Sequence, residues 1–142
     1  MSETPAPTRS IGRYVPMLDG PEKVSGRAKY TADLVPVGAY AARIFRSPCS
    51  HAEIISLDTS AALKVPGVLA IVTGTDCDTP FGVLPIAATE YPLARERIRY
   101  QGEPVAAVAA VDDACAKKAL DLIMLKVKEL PAYLTPDAAM AK

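Results

Sequence analysis

The stretch RIRYQGEPVAAVAAV, Arg97–Val111, decides the architecture: a charged alternating run meets Gly102, and Pro104 is followed by seven consecutive residues that are only Val or Ala. A strand with no polar side chain suits the centre of a sheet covered on both faces, where small residues let a helix and a neighbouring layer come close. Pro104 stands at the strand's start, where a missing N–H costs least, and Gly102 permits the turn before it. The pattern predicts a pair of strands on either side of that turn, with an architectural rather than a chemical purpose.

Working outward, DDACAKKALDLIM predicts a helix over 113–124. Asp112 or Asp113 is its cap, and Ala116, Ala119, Leu120 and Ile123 fall at i, i+3, i+4 and i+7 on one buried stripe. LKVKELP then returns as a strand, Leu125 and Val127 alternating with Lys126 and Lys128 until Pro131 stops it. Thr135 with Pro136 starts a last helical turn. Upstream, residues 39–46 and Ala52–Asp58 predict two strands separated by Ser47 and Pro48, and 68–74 is a β-branched core strand. Between the latter two, TSAALKVPG is a short helical turn with Thr59 or Ser60 supplying the cap oxygen. The span from Thr75 to Glu96 is proline-rich and longer than an ordinary connection. Residues 1–11 predict a disordered tail, and Gly12, Gly20 and Gly26 punctuate turns and an extended arm without a helix. Strands and helices interspersed with few crossovers give an α+β fold, a mixed sheet with few helices.

Composition narrows the function classes. A chain of 142 residues is one domain long, and half of it is apolar with 23% charged, which is a globular composition. Apolar runs are interrupted well short of the roughly 18 residues that a spanning helix needs, so no membrane partner and a cytoplasmic location are expected. Formal charge is zero and no basic block occurs, so nucleic acid is not an expected partner. The glycines do not fall in GxGxxG or GxxxxGK[ST] spacing, which removes a nucleotide cradle. Cys49, Cys77 and Cys115 are far apart and the single histidine is His51, so the chain offers no zinc or iron–sulfur ligand spacing. Asp112 with Asp113 and Asp76 with Asp78 could form acid/base pairs, but Asp favours caps and turns. Arg95, Arg97 and Arg99 alternate along an extended run, where guanidiniums could meet a phosphate; Glu96 and Glu103 stand nearby to neutralise them. The loop from Phe81 to Pro92, with Leu84, Pro85 and Tyr91, either borders a channel or packs on its own domain.

The stretch YQGEPVAAVAA resembles the Tyr-x-Gly-x-Pro-Val-Ala-x-Val-x-Ala signature of the molybdenum hydroxylase large subunits, the xanthine dehydrogenase and aldehyde oxidase family, in their N-terminal α/β-hammerhead domain. Three further stretches agree in order. DGPEKVSGRAKYTAD is similar to the family's entry arm, RSPCSHAEI to its Arg-Ser-Pro-x-x-His-Ala segment, and ELPAYLTPDAAM to its exit. The resemblance marks Gly26, Tyr30, Asp33, Ser47, Pro48, His51, Tyr100, Gly102 and Pro104 as structural signature residues. It places residues 12–142 in one hammerhead domain. FGVLPIAATEYPLARERIRYQGEP is most similar, within the family, to the large subunit of 4-hydroxybenzoyl-CoA reductase. Departures are Cys49 and Ser50 where His and Ala are common, Glu53 where Arg is frequent, and Val127–Lys128 in place of Tyr-Glu.

The resemblance implies part of an enzyme of aromatic degradation. The assembled family enzymes carry molybdopterin, iron–sulfur clusters and usually FAD on other domains or subunits, and nothing here matches the molybdopterin-binding domains or the catalytic glutamate. The expectation is a scaffold for the cofactor domains and a docking face for the iron–sulfur subunit, with no catalytic, cofactor or metal residue of its own and no turnover alone. The alternatives are a piece of a xanthine, aldehyde or nicotinate type hydroxylase, or a free-standing interaction module of the same fold.

Overall fold

The computed structural model describes residues 12, 14–83, 86 and 89–141; the expected tail 1–11 and Leu84 and Pro85 of the long loop lie outside them. The chain divides into two units, Met1–Val37 and Gly38–Lys142.

In the amino-terminal unit the sequence predicts no helix, but a five-residue helix forms, α1 (Gly20–Val24). Pro21 explains the difference, since its fixed φ and absent N–H suit a first helical turn. Lys23 lies 2.6 Å from Asp19, one turn back. Gly26 follows at φ +70°, the left-handed conformation that ends helices. A 3₁₀ turn then spans Thr31–Asp33, with the Asp33 carboxylate accepting the backbone N–H of Tyr30 at 3.0 Å.

Among its described residues the second unit holds six strands, β1 (Ala41–Arg46), β2 (Ala52–Asp58), β3 (Val68–Thr73), β4 (Arg97–Ile98), β5 (Pro104–Ala110) and β6 (Met124–Glu129). Its helices are α2 (Ser60–Leu63), α3 (Asp113–Leu120) and α4 (Pro136–Met140). The α+β class with few helices holds. The strands, however, form two three-stranded sheets, β1-β5-β3 and β4-β2-β6, and every pairing in both is antiparallel, in place of one mixed sheet. The strand pair predicted around Gly102 also resolves differently: β4 pairs with β2 in the second sheet and β5 lies at the centre of the first. Ile98 and Arg97 pair with Ala52 and Glu53 of β2.

The core is built on β5. Ala106, Val108 and Ala110 alternate onto one face and pack with Ala62, Ala116, Ala119 and Ile123, all buried. Its buried members are no larger than Ile, and the half-buried Phe45, Leu57 and Leu120 pack against them. The opposite face is covered less: Val105 is buried, Ala107 and Ala109 are half-buried, and Ile44, on the same side as Ala107, is 38% exposed. Helix α3 ends at Leu120, short of the predicted 124, because two turn residues must precede β6 at Met124; Ile123 still completes the buried stripe.

Caps follow the sequence with one exception. The Asp112 carboxylate accepts the N–H of Cys115 at 2.7 Å at the start of α3, and Thr135 Oγ accepts that of Ala138 at 3.2 Å at the start of α4. At α2 neither Thr59 nor Ser60 supplies the oxygen; Asp58, the last residue of β2, accepts the N–H of Ser60 at 2.9 Å.

The two sheets are stitched by the end of the long connection. Ala94 N–H donates to Pro104 O at 2.7 Å on the first sheet, and Ile54 N–H donates to Glu96 O at 2.8 Å on the second. Leu93 and Ala94 are buried there, so this part of the loop packs on its own domain. Gly74 is required at the crossing, since a Cβ would overlap the Ala94 carbonyl oxygen and lie 2.9 Å from Arg95 Cα.

Candidate functional site

Two turns that are fifty residues apart in the chain are zipped together by backbone hydrogen bonds. Ser47 N–H donates to Glu103 O at 2.9 Å and Gly102 N–H donates to Ser47 O at 2.9 Å. Ser47 is buried, its Oγ donating to Cys49 O at 2.7 Å and accepting Cys49 N–H at 3.1 Å, so the hydroxyl shapes the turn after β1. Gly102, at φ +85°, makes the facing turn, and its carbonyl accepts a bond from the Arg46 guanidinium at 2.9 Å. Pro104 then opens β5.

A third segment joins them. Leu130 N–H donates to His51 O at 2.9 Å, and His51 Nδ1 lies 2.7 Å from Pro131 O, which fixes the ring against the chain leaving β6. The β2–β6 ladder, Ala52 opposite Glu129, is what brings residue 131 beside residue 51. Ser47, Pro48, His51, Tyr100, Gly102 and Pro104 therefore converge at one end of the second unit. Gly26, Tyr30 and Asp33 belong to the amino-terminal unit, where they shape the turns already described.

These turns wall an open cleft of about 530 Å³ lined by Arg97, Arg99, His51, Tyr100, Tyr133 and Leu134, among others. Of the predicted arginine row the structure brings Arg97 and Arg99 to this cleft and not Arg95, whose guanidinium sits 5.2 Å above the Tyr91 ring. Arg97 lies 3.9 Å from Glu53, which Lys128 also approaches at 3.4 Å; Arg99 lies 3.7 Å from Glu103. Glu103 is buried and its carboxylate accepts the backbone N–H of Arg99 at 2.5 Å, so it organises the segment as much as it neutralises it. Tyr133 and Leu134 carry no local signal that would single them out in the sequence. Only the antiparallel pairing of β2 with β6 moves them to the cleft, and the alternation of Leu125 and Val127 was the legible half of that pairing.

The aspartates do structural work. Bonding to the backbone N–H of Cys115 holds the Asp112 carboxyl below its ordinary value, and the hydrogen bond of the Cys115 thiol itself to that carboxylate raises the thiol. Asp113 is lowered and Arg43 raised by their two-pronged bond, 2.6 and 2.7 Å, which ties β1 to α3. The backbone N–H of Thr73 lowers Asp76.

A resident metallic cofactor does not fit these residues. Among the described residues no group of three His, Cys, Asp or Glu side chains converges, so the cysteines do not form the thiolate set that an iron–sulfur cluster requires. A pterin of molybdopterin's size calls for a deep pocket with several convergent polar groups, whereas the cleft is open and much of its wall is apolar. Among the described residues no helix is long and apolar enough to cross a membrane.

Two antiparallel sheets joined through zipped Ser-Pro and Gly-x-Pro turns define a small hammerhead module, and the family model of the aldehyde oxidase and xanthine dehydrogenase a/b hammerhead domain matches residues 25–131. The chain belongs to this molybdenum hydroxylase family. It is 38% identical over 135 residues to the xanthine dehydrogenase molybdenum-binding subunit of Escherichia coli O157:H7, covering 88% of this chain and 18% of that protein. It is 36% identical over 142 residues to the nicotine 6-hydroxylase large subunit of Paenarthrobacter nicotinovorans, covering 94% and 17%. Among solved structures, quinoline 2-oxidoreductase from Pseudomonas putida 86 superposes with a TM-score of 0.84 at 33% identity, over 94% of this chain and 18% of that one. The chain thus spans under a fifth of the length of each of these relatives.

Proposed function

We propose that this chain is the hammerhead portion of the molybdenum-binding subunit of a molybdenum hydroxylase, buttressing the domains that hold the cofactor and offering a docking face to the iron–sulfur subunit. Molybdopterin, the iron–sulfur clusters and, where present, FAD are carried by those other parts, and the assembled enzyme is cytoplasmic. One observation carries the scaffolding role. The second unit exposes large apolar side chains, including Tyr40 at 67%, Ile55 at 62% and Met124 at 57%, none of which lines the cleft. Exposed apolar side chains of this size and number suit surfaces that become buried against further protein.

For the substrate, the favoured class is a nitrogen heteroaromatic, because the relatives named for xanthine, nicotine and quinoline all act on such rings by their names. A second reading, reductive removal of a ring hydroxyl as in 4-hydroxybenzoyl-CoA reductase, is favoured by the likeness of the stretch from Phe81 to Pro104 to that enzyme. Co-expression with the cofactor-binding remainder of a molybdenum-binding subunit and with an iron–sulfur subunit tests the role. Native mass spectrometry is expected to find all parts in one complex, and turnover of heteroaromatics against 4-hydroxybenzoyl-CoA decides the class. A chain that stays free of both parts would overturn the role and leave the interaction module; a chain that alone carries stoichiometric molybdenum and turns over substrate would overturn it more directly.

A further inference from the structure

The cleft beside His51 has a charge arrangement that the scaffolding role does not use. Arg97 and Arg99 are two apart on an extended segment and so project to one side. Both line the cleft, and no carboxylate is among its lining residues. Their nearest carboxylates stand off, Glu53 at 3.9 Å from Arg97 and Glu103 at 3.7 Å from Arg99. A satisfied guanidinium in this same molecule looks different, for Arg43 holds Asp113 with two bonds of 2.6 and 2.7 Å. Glu53 is further shared with Lys128, and Glu103 already accepts the Arg99 backbone N–H. Apart from a 3.3 Å bond from Arg99 Nη1 to Arg97 O, no short hydrogen bond of the two guanidiniums is present among the described residues.

Beside the two arginines the wall is largely aromatic or apolar, with Ser50 and Gln101 as its uncharged polar members. Tyr100, Tyr133 and Leu134 line it, and the His51 ring is pinned there by its 2.7 Å contact with Pro131 O. A volume of about 530 Å³ lies within the usual range for small-molecule sites. Guanidinium forks match the paired oxygens of carboxylates and phosphates, and tyrosine faces match a flat apolar body. We infer that this cleft binds a small ligand carrying an oxyanion, carboxylate or phosphate, on a flat apolar body. The site stands apart from the scaffolding role, and each can fail without the other.

The single histidine gives the test its reporter, since the His51 imidazole C–H resonances need no further assignment. The full chain is titrated with phenyl phosphate, benzoate and inorganic phosphate. Saturable His51 shifts are expected with phenyl phosphate or benzoate, the tighter of the two naming the oxyanion, and inorganic phosphate should bind about ten-fold more weakly for want of the apolar body. Arg97→Gln and Arg99→Gln should each weaken binding about ten-fold or more by removing a charge-assisted donor, while Arg95→Gln leaves it unchanged. If either Gln variant loses its dispersed amide spectrum, Arg97→Lys and Arg99→Lys keep the charge without the fork and should also bind more weakly. Absence of a saturable His51 shift with any probe at tens of millimolar, or unchanged affinity in folded arginine variants, overturns the site. Inorganic phosphate binding as tightly as phenyl phosphate overturns the apolar half and with it the ligand class.

Discussion

The two sheets are equal in strand number and opposite in character. In β1-β5-β3 the central strand is apolar throughout, one face is sealed by α3, and most of its residues are buried. In β4-β2-β6 the central strand β2 has one buried residue, Ala52, and its remaining positions are half-buried or exposed. The first sheet is a core and the second is largely a surface. Their difference teaches that the buried apolar contacts and the exposed apolar side chains of this unit reside largely in separate layers, which meet where residues 93–98 cross from one to the other and at the zipped turns around Ser47 and Gly102.

That contrast can be broken most forcefully at the crossing. Gly74→Ala forces a Cβ onto the Ala94 carbonyl oxygen, where backbone and not a flexible side chain would have to yield. A loss of about 3 kcal/mol or more, or of cooperative unfolding altogether, is expected in urea melts. An unchanged midpoint would show that the two layers are not held together there.

Within the layers the contrast becomes a paired measurement. Val108→Ala removes two carbons from the sealed face of β5 and should cost about 2 kcal/mol, transfer and cavity together. Ile55→Ala, a larger truncation on the open face of β2, should cost less than about 0.5 kcal/mol because Ile55 is 62% exposed. Equal costs would mean that the second sheet is a core as well.

Gly102→Ala sharpens the comparison at the turn that separates β4 from β5. No atom lies within 4 Å of the site of an added Cβ, so the penalty comes only from φ +85° and should be about 1 kcal/mol. A cost above that of Val108→Ala would show that the turn, more than the apolar contact, sets the stability of the first sheet.

The smallest effect is the acid limb of stability. Asp58, Asp76, Asp112 and Asp113 are all held below their ordinary values in the folded chain by hydrogen bonds. Their stabilisation is complete above the unfolded value, about 3.9, and is lost as pH falls through the lower folded values. Urea midpoints should therefore be level toward neutral pH and decline below about pH 4, and Asp113→Asn should soften that decline. Midpoints that rise on acidification would contradict the assignment.

Much of this was legible in the chain. The stripe Ala116, Ala119, Leu120, Ile123 announced the face of α3, the Val-Ala run announced a central strand, and Asp112 and Thr135 announced their helix starts, because each depends on side chains within a turn or two. The helix α1 was missed although Pro21 signalled it, since five residues are too few for periodicity to rise above the surrounding glycines. The cap of α2 was assigned to Thr59 or Ser60, and the structure gives it to Asp58, one residue earlier, because the strand leading in turns that carboxylate toward the Ser60 N–H.

The cleft was only partly visible. Arg97 and Arg99 stand out in the sequence as possible phosphate contacts and His51 as a structural signature residue, but nothing local distinguishes Arg95 from its neighbours in the row. The sequence by itself determined the central strand, its helix and the family to which the signature turns belong, since those follow from short-range periodicity and from turn chemistry at single residues. Tertiary structure alone decided that β4 and β5 go to different sheets, that Tyr133 and His51 line one cleft, and that Arg95 stacks on Tyr91 instead of joining Arg97 and Arg99. Those outcomes depend on which distant backbone donors and acceptors find each other, and antiparallel pairing between segments many residues apart leaves no periodic trace in either one.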